Sequence, residues 1–249
     1  MLILSTEVSG SNGGHYTMSL RSLIRRIIGP GLWNSLARLR DELKLASIHM
    51  RSYPKASRLG SSGLRLNCGC GPNLKPGWIN IDAFNPNATI HLDLRRPFPF
   101  QNDSVAEIYS EHFFEHLEYP RDTRVFLAES LRVLTTGGIF RVGVPDIECP
   151  IISYASGDDL YYKRAMELWH PSNCSTRMDL INYLFRLGHE HKYAYDYETL
   201  YKVLTEAGFS EVKRVEFDPS IDCEKRRFGT LYVEARKDKS PKILDNVIR

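Results

Sequence analysis

Residues 64–82 read LRLNCGCGPNLKPGWINID, and the fold turns on how they are read. Residues 64–67 form a short apolar strand that runs straight into Gly69-Cys70-Gly71. Residues 78–81 form a second strand, and Asp82 ends it. A glycine-rich turn after a first strand lets a ligand come close to the backbone. Its amide N–H groups face negative charge, as they do at a helix N-terminus. A carboxylate closing the second strand can accept from both hydroxyls of a ribose, at about 1.5–3 kcal/mol per bond. Spacing separates two classes of ligand. A dinucleotide loop reads GxGxxG, opens a full helix and meets its acid about 20 residues on. Here Leu74 takes the third glycine's place, and Pro72 and Pro76 bracket a segment too short for that helix. Asp82 stands 11 residues after Gly71. Pyrophosphate recognition is poorly supported, and a nucleoside carrying a small charged group suits the loop better.

Outward from this stretch, strands and helices alternate across 61–237. Further strands are expected at 89–92 and 105–109, and a helix at 121–134 with Val125, Phe126, Leu131 and Leu134 on its apolar face. Gly137-Gly138 turns into a strand at 139–144. A helix at 197–207 ends on Gly208, a good left-handed cap. Strands at 212–217 and 230–235 follow. The pattern predicts an α/β protein: a three-layer, doubly wound, Rossmann-like sheet, mostly parallel, with helices on both faces. In such sheets ligands sit at the carboxyl ends of the strands, where strand order reverses. An insertion at 147–195 holds Tyr154, Tyr161, Tyr162, Trp169, Tyr183 and Phe185 among polar residues, a pattern that predicts a lid with its own small core.

The flanks read differently. The first 19 residues are rich in Ser, Gly and Thr and are expected to be loose, and the charged tail 238–249 to be frayed. Between them and residue 60 lies a basic helical extension. Leu20, Leu23, Ile24, Ile27 and Ile28 follow a helical stripe, Gly29-Pro30-Gly31 interrupts it, and Leu32, Leu36, Leu39 and Leu43 resume it. Nine Lys or Arg face only Asp41 and Glu42 between Arg21 and Arg58. This pattern allows peripheral contact with an anionic membrane face through residues 20–44, which sedimentation with anionic and neutral vesicles tests. The chain's 249 residues carry a net charge of +3, too little to argue for nucleic acid as a partner. Five cysteines with no second pair at zinc-finger spacing fit a reducing, cytoplasmic setting.

Several blocks together resemble the class I S-adenosylmethionine-dependent methyltransferases, and most closely their small bacterial type 11-like group. The blocks are the opening stretch, IHLDLRRPFPFQNDSVAEIYSEHFFEHL, FLAESLRVLTTGGIFRVGVPD and GHEHKYAYDYETLYKVLTEAGF, within residues 63–236. The resemblance implies a seven-stranded sheet with an antiparallel last strand, and S-adenosyl-L-methionine as cofactor. It implies Asn67, Gly69, Cys70 and Gly71 around the methionine end, Asp82 on the ribose, Asp93 and Leu94 at the adenine, and Ser110, Glu111 and His112 near the methyl donor. The implied activity is methyl transfer to a small-molecule or glycan-linked acceptor, at oxygen, in a setting such as polysaccharide biosynthesis. The group's usual Phe-Asp at the start of the fourth strand is replaced by Ala106-Glu107.

A hydroxyl acceptor needs a base, and histidine's ordinary pKa suits that role near neutral pH. His191 or His112 is expected to take the proton, with Asp146 orienting the acceptor. Two other classes remain open. One is a member of the same fold that binds a nucleoside or a partner without catalysis. The other arises because His112-Phe113-Phe114-Glu115-His116 matches H-x-x-E-H, a zinc-hydrolase signature when carried on a helix. No third ligand is marked downstream, so no metal is expected. The oligomeric state is not legible.

Overall fold

The computed structural model describes residues 5–7, 17–169, 171 and 174–238, with side chains from residue 26 on. The chain forms two compact units divided after Ser47, earlier than the boundary expected at residue 60. The shift has a packing cause: Ala56 belongs to the apolar core of the second unit, and Leu59 packs against that core.

In the first unit β1 (Ser5–Glu7) pairs antiparallel with β2 (Thr17–Ser19), so part of the stretch expected to be loose is paired. The remaining residues of the first 19 lie outside the described residues, as do residues 239–249 of the tail. Helix α1 (Leu20–Ala56) follows at once and is broken at Gly29, whose φ of 76° no L side chain adopts easily. The side chains of Leu20, Leu23 and Ile24 lie outside the described residues. Leu32, Leu36, Leu39 and Leu43 are exposed. Among the described residues no helix is long and apolar enough to cross a membrane.

The second unit is a mixed α/β sandwich. Its elements are β3 (Leu64–Cys68), β4 (Ile79–Ile81), β5 (Val105–Glu111), α2 (Arg121–Val133), β6 (Leu134–Pro145), α3 (Glu148–Ser156), α4 (Leu160–Trp169), α5 (Arg177–Arg186), α6 (Tyr197–Ala207), β7 (Ser210–Val215) and β8 (Thr230–Arg236). The sheet runs β4-β3-β5-β6-β8-β7, with β8 antiparallel to both neighbours and the pairs from β4 to β6 parallel. Six strands are described rather than the seven expected. The stretch at 89–92 contributes a single parallel bridge, Ile81 to Ile90. It stops there because β4 has only three residues and Asn80 N donates to the Thr89 hydroxyl rather than to a carbonyl. Gly137-Gly138 does not precede the fifth strand but bulges from inside it: Val105 pairs with Leu134, yet Glu107 pairs with Ile139. The penultimate strand starts and ends two residues earlier than expected.

The two faces of the sheet differ. Leu66, Ile108, Phe140 and Ala235 align in register on one face and belong to the apolar core with Phe126, Leu200 and Leu204 of α2 and α6. Phe126 is the hub, with Phe98, Phe113, Phe114 and Phe140 around it at ring separations of 5.6–6.1 Å. The stripe that α2 buries contains Phe126, Leu127, Ser130 and Val133, a 3.6-residue period shifted slightly from the expected one. Helix α6 is capped by Asp196, which accepts from Thr199 N at 2.8 Å, and ends on Gly208 at φ 105°. By strand alternation the other face carries Arg65, Asn67, Tyr109, Arg141 and Glu234. Residues 216–223 reach it by polar contacts: Arg141 Nη2 donates to Glu216 O, and Lys75 Nζ donates to Ile221 O. Of the expected three-layer arrangement with helices on both faces, α2 and α6 pack on the apolar face, and the segment 216–223 reaches the polar one. The insertion at 147–195 folds as α3, α4 and α5 around Ile147, Tyr162, Ala165, Leu180 and Leu184, the small core expected of a lid. Residues 170, 172 and 173 within it lie outside the described residues.

Strand order reverses between β3 and β5: the chain moves outward from β3 to β4, then crosses back to β5. The carboxyl ends of β3 and β5 thus lie side by side, flanked by the crevice position of a doubly wound sheet.

Candidate functional site

The loop after β3 is held by its neighbours rather than by a helix. Gly69 and Gly71 have φ of 67° and 47°, in the left-handed region. Buried Asn67 clasps the loop from below, its Nδ2 donating to Asn73 O at 2.9 Å and to Asn80 Oδ1 at 2.8 Å. Cys70 N donates to Ile81 O, which ties the loop to β4. Burial and the Asp82 charge push the Cys70 thiol up to about 12, so it is an inert packing residue near neutral pH. Asp82 sits where spacing places it, at the end of β4. Its Oδ2 accepts from Gly71 N at 3.0 Å, and its Oδ1 accepts from Phe84 N and Asn85 N at 2.8 Å each. The acid and the glycine loop are one hydrogen-bonded unit. The two glycines differ in surroundings. A Cβ on Gly71 would meet nothing within 4 Å, whereas one on Gly69 would lie 2.3 Å from Phe113 Cγ.

Asp93 and Leu94 follow the bridge at Ile90, and both are buried. Asp93 is fully engaged by cations of its own turn: Oδ1 accepts from Arg95 N and Nε, and Oδ2 from Arg95 Nη2 and Arg96 Nε, at 2.9–3.2 Å. Burial opposes its charge, but these bonds outweigh burial and hold its pKa below the ordinary carboxylate value. A carboxylate depressed in the fold contributes stability above its unfolded pKa of about 3.9 and loses it as pH falls through the folded value. Asp93→Asn is therefore expected to cost about 1.5–3 kcal/mol at pH 7 and to flatten the acid limb of the stability profile below about pH 4. Urea midpoints measured from pH 7 down to pH 2.5 check this. Parallel profiles for the two proteins would rule it out.

At the end of β5, Ser110 is wholly buried, and its hydroxyl has no hydrogen-bond partner among the described residues. Glu111 is buried and accepts from Tyr232 OH at 2.9 Å and Cys223 N at 3.2 Å, while Arg226 Nη1 donates to its main-chain O at 2.6 Å. Segments more than 100 residues away thus complete the floor of the site, and nothing in the local sequence marks Tyr232, Cys223 or Arg226. His112 has a φ of 52°. Thr230 Oγ1 donates to Arg226 O, so His112 Nε2–H donates to Thr230 at 2.8 Å and Nδ1 keeps a lone pair. Burial, then the positive Arg226, push His112 down to about 3, so its imidazole is neutral at physiological pH. The zinc-hydrolase signature loses its geometry here. Residues Phe114–His116 form a single 3-10 turn, not an α-helix, and His112 and His116 do not stack one turn apart.

The structure brings His191 to this corner. Lys192 N donates to Glu115 O at 2.8 Å, pinning residues 187–193 beside the turn. His191 is half-buried, and its Nδ1–H donates to Leu184 O at 2.6 Å. Burial lowers its pKa, as it does that of His116. Glu115, 2% exposed, lies between the imidazoles, and neither carboxylate oxygen has a hydrogen-bond partner among the described residues. Burial raises its pKa to about 8. The sequence named His112 and His191 but missed Glu115 as their meeting point. Asp146 is buried just past the end of β6. It accepts from Arg214 Nη2 at 2.6 Å and from Glu148 N at 3.1 Å, a salt bridge and the first turn of α3.

No family model matches the chain, and no curated protein matches it. Solved structures similar to it include a SAM-dependent methyltransferase from Thermotoga maritima, at 15% identity and a TM-score of 0.43 over 82% of this chain and 96% of that one. A SAM-dependent methyltransferase from Archaeoglobus fulgidus matches at 16% identity and a TM-score of 0.43, over 80% of this chain and 94% of that one. A phosphoethanolamine N-methyltransferase from Haemonchus contortus, in complex with S-adenosyl-L-methionine, matches at 9% identity and a TM-score of 0.42, over 76% and 52%. Identities and TM-scores of this order carry no chemistry across to this chain.

Proposed function

We propose that the chain is an S-adenosylmethionine-dependent methyltransferase acting on a hydroxyl of a small-molecule or glycan-linked acceptor. The observation that carries this reading is the union of Gly69-Cys70-Gly71 with Asp82 at the strand-order reversal, joined by the Gly71 N to Asp82 Oδ2 bond. The residues fit the cofactor at its centre: the space beside Gly71 is open, and Asp82 is part-exposed, with one of about four acceptor positions unused. Asn67, Gly69, Cys70 and Gly71 would hold the methionine end, and Asp82 the ribose. Asp93 and Leu94 would border the adenine, and Ser110, Glu111 and His112 the methyl donor. When bound, S-adenosylmethionine supplies a methyl group on a positive sulfonium. The chain's own work is then to hold the acceptor in line, which lowers the barrier by up to several kcal/mol, and to take up its proton. Of the two candidate bases, His191 suits the role better: burial lowers both, but it takes His112 to about 3, a weak proton acceptor near neutral pH. Asp146, just past the end of β6, would orient the acceptor through an oxygen position that its bonds to Arg214 and Glu148 N leave free.

Titration calorimetry with S-adenosylmethionine tests the reading. Asp82→Ala is expected to weaken binding about 10–100-fold, from one charged hydrogen bond lost. No heat with the intact chain, or an unchanged affinity in the variant, removes the assignment. A second reading is favoured by specific contacts. Arg95 and Arg96 already fill the acceptor positions of Asp93, and Phe113 already covers Gly69. These suit a member of the fold that binds a nucleoside or a partner without catalysis. Methyl transfer to trial glycan acceptors separates the two.

A further inference from the structure

The corner formed by Glu115, His116 and His191 has the construction of a metal centre. The ligating atoms of these three residues all lie within 4.8 Å of one another. One carboxylate oxygen, Glu115 Oε1, is the focus: His112 Nδ1 stands 3.5 Å from it, and His116 Nε2 and His191 Nε2 each stand 3.9 Å from it. Donors held at about 2.0–2.2 Å from one ion are about 3–4 Å from each other, so these separations suit a shared cation. The imidazoles of His116 and His191 meet edge to face, with centroids 5.0 Å apart.

Two further observations point to an ion rather than to a chance meeting of polar groups. Glu115 is buried, and neither of its oxygens is hydrogen-bonded among the described residues, which is costly for a carboxyl group. The histidines are also oriented from behind. His116 Nδ1 faces Glu190 O at 3.2 Å, and His191 Nδ1 faces Leu184 O at 2.6 Å. A carbonyl can only accept, so each Nδ1 carries the proton and each Nε2 presents its lone pair inward. Metal-bound histidines are usually fixed in this way, their outer N–H held by a carbonyl.

We propose that Glu115, His116 and His191 bind a divalent first-row transition-metal ion, clamping residues 187–193 to the carboxyl end of β5. Two imidazoles and one carboxylate favour zinc, iron or nickel over magnesium or calcium. The ion would engage the orphaned carboxylate of Glu115, and it would take the Nε2 lone pair of His191. Its binding does not depend on methyl transfer.

The full-length chain, stripped with a chelator and dialysed, is titrated with zinc chloride by calorimetry. One equivalent is expected to bind, and His116→Ala and His191→Ala are each expected to weaken binding at least 100-fold. His189→Ala, at an exposed neighbour, should leave it unchanged. As a readout that needs no variant, cobalt(II) is added to the unmodified chain as well. Visible d–d bands that zinc displaces at one equivalent are expected. Absent bands and absent one-to-one zinc binding would overturn the proposal. Binding that both histidine variants retain would overturn it equally.

Discussion

Asp222→Ala is expected to remove about 3–5 kcal/mol of folding stability, because it strands a buried guanidinium. Arg141 and Asp222 have side chains 4% and 0% exposed. Arg141 Nε donates to Asp222 Oδ1 at 2.9 Å, and Nη2 donates to Oδ2, a bidentate pair. Arg141 Nη1 also donates to Glu234 at 2.8 Å. Burial works against the arginine's charge, but Asp222 and Glu234 outweigh it and keep its pKa above the ordinary value. The pair does more than neutralise charge. Asp222 Oδ2 also accepts from Asp218 N at 2.7 Å, so it fixes the segment that covers the polar face and carries Cys223 and Arg226 to Glu111. Urea unfolding measures the loss as a lower midpoint at unchanged slope. The double variant Arg141→Met/Asp222→Leu should recover only part of it, since it removes the stranded guanidinium but leaves Glu234 without its arginine and Asp218 N without its acceptor. A single-variant loss below about 1 kcal/mol would mean that water reaches Arg141.

Gly69→Ala is expected to cost about 2–4 kcal/mol, and Gly71→Ala only about 1–2. Both glycines hold a left-handed φ, so each substitution strains the backbone. Only at Gly69 does the new methyl also collide, at 2.3 Å from Phe113 Cγ and 2.4 Å from Phe113 Cβ. The second distance sharpens the prediction. Trimming Phe113 to alanine leaves its Cβ in place, so Gly69→Ala/Phe113→Ala should not be rescued. The loop must move instead, and it carries Gly71 N away from Asp82. Thermal unfolding of the two single variants decides the matter: if Gly69→Ala is no worse than Gly71→Ala, the close packing of Phe113 on the loop is not real in solution.

What the sequence determined by itself follows from short-range rules. Strand and helix periods, the glycine loop, Asp82 at the end of β4 and the cap at Gly208 depend on residues within a dozen positions of each other, where propensity and spacing act directly. The lid's own core at 147–195 was likewise legible from its aromatic residues. What only the tertiary structure decided involves partners far apart in the chain. The strand expected at 89–92 shrank to one bridge because β4 offered it too short an edge. The segment that reaches the polar face was fixed there only when Arg141 met Asp222, 81 residues on. Glu115 and His116 lie 76 and 75 residues before His191, and no local pattern announces that a turn after β5 and a lid segment will meet around one buried carboxylate. Local sequence sets which residues can form strands, turns and caps. Burial in three dimensions sets which charges are forced together, since a charge taken from water must find its partner wherever the fold delivers one.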